Sequence, residues 1–568
     1  MILRSPQPLR EYSTNLGCLL FEWAATTPER VFLAERVPHG AWRTVSYAGA
    51  ARAASSVAQA LIDRGLDQSR TIMVLSGNGV DHALLMLGAF LAGVPICPVS
   101  PAYSLVSTDY GRLKHIHRLI APALLYVDSF EAFRPALEAL GLAGTELVCS
   151  EGLPRGVAGT RFAELMATVD TPQVRRRAES VSPDHVAKIL FTSGSTALPK
   201  GVVNTHGMLS ANQQMLRQCW GFLEHLPPVL LDWLPWNHTF GGNHNFNMVL
   251  RNGGSLFVDD GRPTVGLIER TVANLREVSP NVYFSVPAGY AMLLPYLEKD
   301  GELARSFLRE LRLVFYAAAA LSQDIWDRLS QLSIAHLGRC VPLTSGWGST
   351  ETAPLATTAH FPVDRAGVIG LPVPGVEVKL APAAAKLELR VRGPNVMPGY
   401  LKEPDLTREA FDGDGFYRTG DAGRLLDPEA AEKGLVFEGR LAEDFKLGTG
   451  TWVHVGVLRT TVLAACAPAL QDLVVCGHGR DQVGILAWPN ASPDVLDVVR
   501  QGIGAHNRTH PGASTRIARV HLMAEPASID ANEITDKGYI NQRAVLERRG
   551  DLVQRLFADP PGPDVIVC

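Results

Sequence analysis

The stretch Ile189-Leu-Phe-Thr-Ser-Gly-Ser-Thr-Ala-Leu-Pro-Lys-Gly-Val202 is the strongest signal in the sequence. A short apolar strand leads into a loop of small hydroxyl residues around Gly194, and Lys200 follows. Backbone N–H groups and hydroxyls in such a loop can close around phosphate oxygens, with Lys200 adding positive charge. The spacing differs from the G-x-x-x-x-G-K-S/T pattern of P-loop hydrolases. An ordinary Ser/Gly surface loop is the alternative that composition leaves open.

Helical and strand patterns alternate around this stretch. Residues 52–65 have apolar side chains at helical spacing and 71–75 form a short apolar run, and the alternation repeats over 81–98. It recurs from 186 to about 343, whereas 367–396 has the period of two that is typical of strands. We therefore predict an α/β fold with a parallel sheet and a β-rich subdomain. The glycine-containing segment after Arg440 predicts a boundary between a large N-terminal domain, 1–440, and a small C-terminal α/β domain, 441–568.

Composition excludes several classes of protein. The 568 residues are 46% hydrophobic and 19% charged, with a net charge of −4, so neither low-complexity disorder nor a nucleic-acid-binding surface is expected. The eight cysteines show no C-x-x-C spacing, which argues against a zinc site or a disulfide framework. No secretory signal and no apolar run long enough to span a membrane is evident. We expect a cytoplasmic protein.

Three further segments follow the loop in chain order: Gly346-Trp-Gly-Ser-Thr-Glu-Thr-Ala-Pro354, Phe416-Tyr-Arg-Thr-Gly-Asp-Ala-Gly423 and Glu438-Gly-Arg440. Taken singly, the first is typical of a turn followed by a helix cap, and the second of a turn Asp after Gly. Together with the loop at 189–202, they resemble the segments G-Y-G-x-T-E, Y-x-T-G-D and G-R of the adenylate-forming superfamily. That superfamily includes acyl- and aryl-CoA synthetases, luciferases and peptide-synthetase adenylation domains. Ala197 stands where the family usually has Gly.

The resemblance implies an enzyme that uses ATP, Mg²⁺ and coenzyme A. The carboxylate attacks the α-phosphate to give an acyl-adenylate, and the CoA thiol then takes the acyl group. By this resemblance Trp347 would border the adenine, and Thr350 would bond the α-phosphate. Glu351 would hold Mg²⁺, which prefers carboxylate and phosphate oxygens. Asp421 and Arg440 would contact the ribose. The implied nucleotide- and cofactor-binding residues are Thr192, Ser193, Gly194, Ser195, Thr196, Lys200, Trp347, Gly348, Ser349, Thr350, Asp421, Arg440 and Lys446.

The C-terminal domain departs from the family at its hinge. The family's Asp or Lys two positions after the Arg is Ala442 here, so the pivot is open among Ala442, Glu443 and Asp444. The family's catalytic lysine matches Lys537, since no other lysine follows Lys446. Its cation would suit the charge that develops between the carboxylate and the α-phosphate; an exposed, solvated lysine is the alternative. The family also implies a mobile domain that rotates to withdraw Lys537 and bring the loop 445–455 to the site.

Three stretches point to a subgroup: 232–247, with Asp-Trp-Leu-Pro-Trp-Asn-His-Thr-Phe-Gly-Gly-Asn-His-Asn-Phe-Asn, the run 439–453, and Lys-Gly-Tyr-Ile-Asn-Gln-Arg-Ala-Val-Leu at 537–546. They resemble the bacterial feruloyl-CoA synthetase group, which implies a hydroxycinnamate such as ferulate as the acid. By the motif match His238 would lie beside the carboxylate. His244 has no such match, and a histidine among apolar residues is more often part of the core.

The acyl pocket implied by the resemblance is lined by His238, Thr239, Phe240, Tyr316, Ala317, Gly346, Pro354 and Leu355, and the catalytic set is Lys537, Glu351, Thr350 and His238. Tyr316 could bond a ring hydroxyl, and the alanines after it either leave room for a flat ring or pack against the nucleotide. Three alternatives stay open: a fatty-acid or other aryl-acid CoA ligase, a non-catalytic nucleotide-binding protein, and transfer to a carrier protein's thiol. A monomer and a homodimer fit equally.

Overall fold

The structure is a computed structural model of the 568-residue chain, and it describes residues 1–38, 40–192, 198–319, 321–490, 494–535 and 540–568. Most of the core of the large domain consists of buried aliphatic and aromatic side chains from these ranges, and the part after 445 has two apolar clusters of its own. The sheets consist of residues within these ranges.

The first sheet contains the hairpin of the phosphate-loop motif at its edge. Its strands lie in the order Lys200–Thr205, Val186–Thr192, Ile96–Val99, Ile72–Leu75, Leu124–Ser129, Glu146–Glu151 and Thr160–Arg161. All neighbours are parallel except the first two, which pair antiparallel with Lys200 opposite Thr192. Because the central strands Ile72–Leu75 and Ile96–Val99 are wholly buried, they are apolar on both faces. The predicted parallel sheet is present here.

A second, longer sheet joins the parallel and β-rich parts of the large domain. Its order is Ile2–Arg4, Glu377–Ala383, Lys386–Arg392, Tyr417–Leu425, Leu435–Arg440, Val368–Pro372, Leu355–Thr358, Leu343–Gly348, Leu313–Tyr316 and Val282–Ser285. The last three strands are parallel to one another and the others antiparallel. A third sheet contains Val229–Asp232, Ser255–Val258, Val31–Arg36 and Trp42–Ser46. The antiparallel section is the predicted β-rich subdomain.

Helices cover these sheets. In the large domain they are Leu19–Thr26, Tyr47–Asp63, Val80–Ala92, Ala102–Leu105, Gly111–Ile120, Phe130–Leu140, Phe162–Met166, Pro172–Ser180, His206–Cys219, Phe246–Arg251, Ile268–Glu277, Pro287–Lys299, Gly301–Leu308, Gln323–Leu337 and Pro404–Glu409. Short 3₁₀ turns lie at Leu16–Cys18, Gly221–Glu224, Thr350–Thr352 and Ala431–Lys433, and Phe240–Asn245 is a π-helix. Among the described residues, none of the helices combines the length and apolarity needed to cross a bilayer.

The small domain has its own sheet. A two-stranded ribbon, Phe445–Lys446 with Trp452–Val453, precedes the strands Leu470–Cys476, Val483–Pro489, Ile517–Leu522 and Val565–Val567. The helices of this part are Val455–Ala465, Val495–Thr509, Gln542–Arg548 and Gly550–Leu556. The predicted fold class, an α/β protein with a large N-terminal and a small C-terminal domain, is confirmed. The boundary at residue 440 stays a prediction.

Candidate functional site

Tyr400 lies between two of the residues that the sequence assigned to phosphate and metal. The Lys200 ammonium lies 5.5 Å from the centre of the Tyr400 ring, and the Tyr400 hydroxyl donates to Glu351 Oε1 at 3.0 Å. Residues 399–401 run alongside the hairpin strand, because Leu401 N donates to the Gly201 carbonyl at 2.8 Å. Burial, followed by the Glu351 charge, raises the pKa of Tyr400. Lys200 and Glu351, 151 positions apart in the chain, are thereby brought to one place.

Ser193, Gly194, Ser195 and Thr196 of the predicted phosphate loop lie outside the described residues. The strands before and after the loop pair antiparallel, with Thr192 opposite Lys200.

A tryptophan and an aspartate from two further motifs are in contact. Trp347 Nε1 donates to Asp421 Oδ2 at 2.8 Å, and Arg440 Nε lies 3.7 Å from Asp421 Oδ1. Trp347 comes from the strand Leu343–Gly348, whereas Asp421 and Arg440 are cross-strand partners on two neighbouring antiparallel strands. Burial raises the pKa of Asp421, although Arg440 and the indole N–H act in the opposite direction. The arrangement places an acidic hydrogen-bond acceptor beside an indole ring.

Glycines at positions 346 and 348 allow the chain to pack closely here. A Cβ on Gly348 would lie 1.8 Å from the Pro354 carbonyl oxygen, and one on Gly346 would lie 2.6 Å from Leu355 Cδ1. Neither position therefore accepts a side chain without movement of the backbone or of Leu355. Ser349 follows, and its backbone N–H donates to Thr352 Oγ1 at 2.9 Å. Ser349 and Thr352 form a capping box at the 3₁₀ turn Thr350–Thr352, in which the Ser349 hydroxyl is buried.

Two asparagines connect Thr350 to the acyl side. Asn204 Nδ2 donates to the Thr350 carbonyl at 3.4 Å, and Asn243 Nδ2 donates to Asn204 Oδ1 at 2.6 Å. Asn243 Nδ2 also lies 3.2 Å from Thr239 Oγ1. All four residues are buried, so these bonds hold Thr350 and Thr239 in a fixed relation.

His238 begins the turn into the π-helix. Its ring Nδ1 accepts from Phe240 N at 3.1 Å, and its carbonyl accepts from Gly242 N at 2.8 Å. Cβ atoms on Gly241 and Gly242 would lie 2.2 and 2.3 Å from the carbonyl oxygens of Leu234 and Trp236, so only glycine fits this turn. The π-helix thereby places His238, half-buried, next to the buried Phe240.

A buried lysine supports the same turn. Lys188 Nζ donates to the Gly242 carbonyl at 2.9 Å and lies 5.7 Å from the centre of the Phe90 ring. Burial lowers the pKa of Lys188 to about 7. Lys188 stands on the strand that leads into the phosphate loop, so it joins that strand to the turn that bears His238.

Phe315, not Tyr316, lies with the predicted acyl residues. The Phe315 Cζ atom is 3.2 Å from the position of a Cβ on Gly346, and its ring centre lies 5.8 Å from that of Phe240. Successive strand residues face opposite sides of a sheet. Tyr316 accordingly packs edge-on against Trp326 at 6.1 Å, and its hydroxyl accepts from Gly367 N at 3.0 Å. Burial raises the pKa of Tyr316.

The remaining residues predicted to line the acyl pocket differ in how far they are buried. Leu355 is buried beside Gly346, whereas Ala317 and Pro354 are half-buried. Leu355 is fixed by its backbone, which exchanges two hydrogen bonds with the Asn212 side chain at 2.8 and 3.2 Å. Leu355, Gly346 and Phe315 therefore form one continuous apolar contact.

The small domain contacts the large one next to the phosphate loop. Asp530 Oδ2 accepts from Thr108 N at 3.0 Å and from Thr108 Oγ1 at 2.9 Å. Thr108 precedes the helix Gly111–Ile120, and on that helix His115 Nε2 lies 3.1 Å from the Pro199 carbonyl oxygen. Asp530 thus contacts the residues that precede this helix, and the helix in turn contacts the residue before Lys200.

The predicted catalytic Lys537 lies outside the described residues, and the segments on either side of it are held firmly. Ile534 and Ile540 form an isolated β-bridge, and Asn541 N donates to the Glu533 carbonyl at 2.8 Å. The Glu533 side chain is fully buried and receives Arg549 Nε at 2.6 Å and Arg548 Nη1 at 2.6 Å. These contacts hold Glu533 and Ile534 next to Ile540 and Asn541.

The predicted hinge and Lys446 lie at the junction. Ala442 is exposed, and Lys446 lies 5.0 Å from the centre of the Trp452 ring. Two backbones meet closely here: a Cβ on Gly456 would lie 3.3 Å from Gly439 Cα, and Gly439 has a φ of +91°. The strand that ends at Arg440 therefore contacts the first turn of the helix Val455–Ala465 with no side chain between them.

Sequence reasoning missed Tyr400 and Phe315. The signal for Tyr400 was slight, since an aromatic residue after Pro398-Gly399 indicates only a turn. For Phe315, the apolar run predicts a buried strand but not which of its residues lies on the side of Gly346.

The chain is similar to known proteins over most of its length. The family model "AMP-binding enzyme" matches residues 20–401, and the model "AMP-binding enzyme C-terminal domain" matches residues 447–560. A 3-(7a-methyl-1,5-dioxo-octahydro-inden-4-yl)propanoyl:CoA ligase of Rhodococcus jostii (strain RHA1) is 26% identical over 379 residues, 65% of this chain and 70% of that protein.

Two further proteins are similar over most of their length. The 4-coumarate–CoA ligase 1 of Arabidopsis thaliana is 26% identical over 389 residues, 64% of this chain and 65% of that protein. The anthranilate CoA ligase AuaEII, solved in complex with anthranoyl-AMP, superposes with a TM-score of 0.74 at 20% identity and covers 96% of this chain and 98% of that one. The first family model alone covers more than half of the chain, so the prediction of an enzyme of this superfamily is confirmed. The chain belongs to the AMP-binding enzyme family.

Proposed function

We propose that this chain is an ATP-dependent carboxylate:CoA ligase, which forms an acyl-adenylate and then an acyl-CoA thioester. The observation that carries the proposal is the hydrogen bond from Trp347 Nε1 to Asp421 Oδ2, with Lys200 and Glu351 grouped around Tyr400. A hydrogen-bond acceptor for the nucleoside and a cation for the phosphates would then lie in one site. The similar CoA ligases of Rhodococcus jostii and Arabidopsis thaliana support the same reaction.

In the first step the carboxylate attacks the α-phosphate and pyrophosphate leaves. Lys200 and the loop 192–196 would hold the β- and γ-phosphates, and Thr350 would bond the α-phosphate. Asp421 would accept hydrogen bonds from the ribose hydroxyls, with Arg440 beside it. Transfer at phosphorus needs positioned charge and orientation more than proton transfer, and these residues supply both.

Glu351 suits a Mg²⁺ ion that travels with ATP. Among the described residues no group of three or more His, Cys, Asp or Glu side chains could hold a metal by itself. Mg²⁺ commonly keeps several waters and takes one or two protein carboxylates together with substrate phosphates. A single buried carboxylate, oriented by the Tyr400 hydroxyl, fits that requirement. The ion would supply neutralisation of phosphate charge.

The acyl group would occupy the apolar contact formed by Phe240, Phe315, Gly346 and Leu355, with His238 near the carboxylate. Thr239, Ala317 and Pro354 belong to the set that the family resemblance implies. Tyr316, also in that set, lies on the opposite face of its strand, against Trp326. Since Gly346 is next to Trp347 in the chain, the acyl side continues directly from the nucleoside side.

Lys537 would complete the first step from the small domain. Asp530, which precedes Lys537 in the same part of the chain, accepts a hydrogen bond from Thr108. This contact supports our proposal that Lys537 acts beside the phosphate loop. In the second step the small domain would rotate about 440–444 and bring the loop 445–455, with Lys446, to the site for CoA. A rotation of this kind needs only a few junction residues to change conformation.

We further propose that the acid is a hydroxycinnamate such as ferulate, since the subgroup resemblance and the aromatic lining agree. A fatty acid or another aryl acid, and a carrier-protein thiol as acceptor, are the alternatives. The test is pyrophosphate release with ferulate, 4-coumarate, caffeate, benzoate and octanoate, each without acceptor, with CoA and with a carrier protein. Turnover that depends on CoA and favours the hydroxycinnamates supports the proposal. Preference for octanoate would disprove the acid, and release that needs a carrier would disprove the acceptor.

A further inference from the structure

A cavity that is open to solvent and contains three arginines lies on the large domain. Its volume is about 470 Å³, within the range of small-ligand sites. The residues that line it are Arg10, Glu11, Gln214, Arg217, Glu224 and Arg251. None of them is among the residues assigned above to the nucleotide, the metal, the acid or CoA.

Two of the three arginines have no carboxylate partner among the described residues. Arg10 pairs with Glu224 at 2.8 Å, and Glu11 is exposed. Arg251 Nη2 donates to Gln214 Oε1 at 2.9 Å. Within the part of the chain that the structure describes, no Asp or Glu side chain lies at ion-pair distance from Arg251 or Arg217. The cavity therefore contains two guanidinium groups whose charge is not neutralised.

The charges of Arg217 and Arg251 act on each other. Burial, followed by the charge of Arg217, lowers the pKa of Arg251, and Glu22 acts in the opposite direction. Each arginine stands in the last turn of its helix, His206–Cys219 or Phe246–Arg251. A single cation is favourable in a last turn because of the helix dipole. That reason does not account for two arginines in one cavity, since like charges repel each other there.

A phosphate group matches this arrangement better than a carboxylate does. Arginine forms bidentate hydrogen bonds with both groups. One such pair uses both oxygens of a carboxylate, whereas a phosphate monoester has three terminal oxygens and can serve two guanidinium groups at once. The volume of the cavity leaves room for the rest of a small phosphate ester.

The two helices that carry these arginines also hold the turn proposed to bind the acid. Gln213 Nε2 donates to the carbonyl oxygens of Asn243 and His244 at 2.8 and 3.3 Å. Both of these residues belong to the π-helix Phe240–Asn245, and the helix that ends at Arg251 continues directly from it. A ligand that bridges the two arginines would therefore join two elements that fix the π-helix.

We propose that this cavity binds a small phosphate-bearing molecule through Arg217 and Arg251, and that this binding tightens the acyl site. The binding is independent of the function proposed above, whereas the effect on the acid rests on that function. Because coupled binding is reciprocal, the acid should tighten the phosphate ligand by the same factor.

The first test is calorimetric titration with inorganic phosphate and with glycerol 3-phosphate. Saturating Mg·ATP is present without acid, so that the nucleotide site is already occupied. Glycerol tests whether the phosphate is needed, acetate tests a carboxylate, and chloride at the same ionic strength tests screening. We expect saturable binding of the two phosphate compounds only. Arg217→Gln should weaken this binding at least about tenfold, since it removes a charge-assisted contact.

Arg52→Gln is the matched control. It removes the same charge from an exposed arginine on the helix Tyr47–Asp63, which does not line the cavity. We expect it to bind both phosphate compounds as the unmodified chain does. Thermal melts of both variants check that they are folded.

The second test measures the KM for the acid from pyrophosphate release, with and without glycerol 3-phosphate. In the unmodified chain and in Arg52→Gln, the phosphate ester should lower this KM by about fivefold. In Arg217→Gln the KM should not change at the same concentration of the ester.

Four results would count against the inference, each in a different way. No saturable binding of either phosphate compound, or binding that Arg217→Gln leaves unchanged, overturns the site. Acetate binding as tight as that of glycerol 3-phosphate overturns the choice of phosphate. Binding that depends on Arg217 without a change in the KM for the acid rejects the coupling. If no acid releases pyrophosphate, the proposed function and the coupling both fail, whereas the calorimetric titration still decides the site.

Discussion

The ammonium of Lys386 forms an ion pair with the carboxylate of Asp444 across the junction of the two domains. Both side chains are nearly buried, 8% and 5% exposed. Lys386 Nζ also donates to the Glu438 carbonyl at 2.7 Å, so it holds the chain before and after Arg440. Asp444 Oδ1 in turn accepts from Val455 N at 3.1 Å, and His454 Nδ1 lies 2.9 Å from Asp444 Oδ2. One carboxylate thus ties the first helix of the small domain to a strand of the large domain.

Lys386→Met should change the balance between the two half-reactions. A rotation about 440–444 has to separate Lys386 from Asp444, so removing the ammonium favours the rotated arrangement. We expect the rate of thioester formation from preformed adenylate to rise relative to the rate of adenylation. Loss of a buried ion-pair partner should also cost about 3 kcal/mol of unfolding free energy.

Lys379→Met is the control for this change. Lys379 pairs with Asp412 and Asp414 inside the β-rich subdomain, at 2.9 and 2.7 Å. Lys379→Met should leave the ratio between the rates of the two half-reactions unchanged. The same ratio in Lys386→Met as in the unmodified chain would show that the pair is not broken during the cycle.

Trp347→Phe should weaken ATP binding. The substitution keeps an aromatic ring and removes the donor to Asp421, a bond to a charged group that is worth roughly tenfold in affinity. The KM for ATP should rise by about that factor while the KM for the acid changes less. Trp42→Phe, which removes a comparable bond to Glu277 at 2.9 Å on the surface, should leave both unchanged. An unchanged KM for ATP in Trp347→Phe would contradict the nucleoside assignment.

Tyr400→Phe should weaken the metal-dependent part of the reaction. It removes the hydroxyl that donates to Glu351, so the carboxylate loses its orientation. We expect the Mg²⁺ concentration for half-maximal rate to rise about fivefold to tenfold. Tyr296→Phe removes a similar bond, to Glu269 at 2.9 Å, on the exposed surface and serves as the control. Identical Mg²⁺ dependence in both variants would argue against Glu351 as the metal ligand.

Because of Asp232, the unfolding free energy of the chain should fall as the pH rises from about 4 to about 7. Burial raises the pKa of Asp232 to about 7, above an unfolded value of about 3.9. Between these values the native state binds more protons than the unfolded state, so the unfolding free energy falls with rising pH and then levels off. The total is at most about 4 kcal/mol.

Asp232→Asn isolates this contribution, because other buried groups titrate in both proteins. The difference in unfolding free energy between the unmodified chain and the variant, from urea melts at pH 4 to 8, should shrink by a few kcal/mol as the pH rises. Asp67→Asn is the control, since hydrogen bonds from Ser69 lower the pKa of Asp67 and place its effect below about pH 4. A difference that is constant with pH would exclude a raised pKa at Asp232.

Local patterns predicted the elements well. Helical spacing over 52–65 and 81–93 corresponds to the helices Tyr47–Asp63 and Val80–Ala92, and the apolar run at 71–75 to the strand Ile72–Leu75. These elements are decided by periodicity over a few residues, which a single sequence contains. Their ends differ by several residues, because caps and tertiary contacts set helix boundaries.

Part of the candidate site could be predicted from the sequence. The motifs singled out Lys200, Glu351, Trp347 and Asp421, but they did not predict the contacts that join these residues. Tyr400, which bonds Glu351, stands in no motif that we recognised, and Lys386 and Asp444 meet over 58 positions of chain. The choice of Phe315 over Tyr316 depends on which face of a strand the pocket uses. Pairings of this kind are set by tertiary packing, and neither composition nor spacing records them.

The measurement that tests the central claim most directly is pyrophosphate release from ATP with a hydroxycinnamate, with and without CoA, in the unmodified chain and in Lys537→Ala. We predict that the acid drives release, that CoA increases turnover and appears in the thioester product, and that Lys537→Ala reduces adenylation by at least about a hundredfold. Absence of pyrophosphate release from the folded, unmodified chain with every acid of the panel would contradict the account.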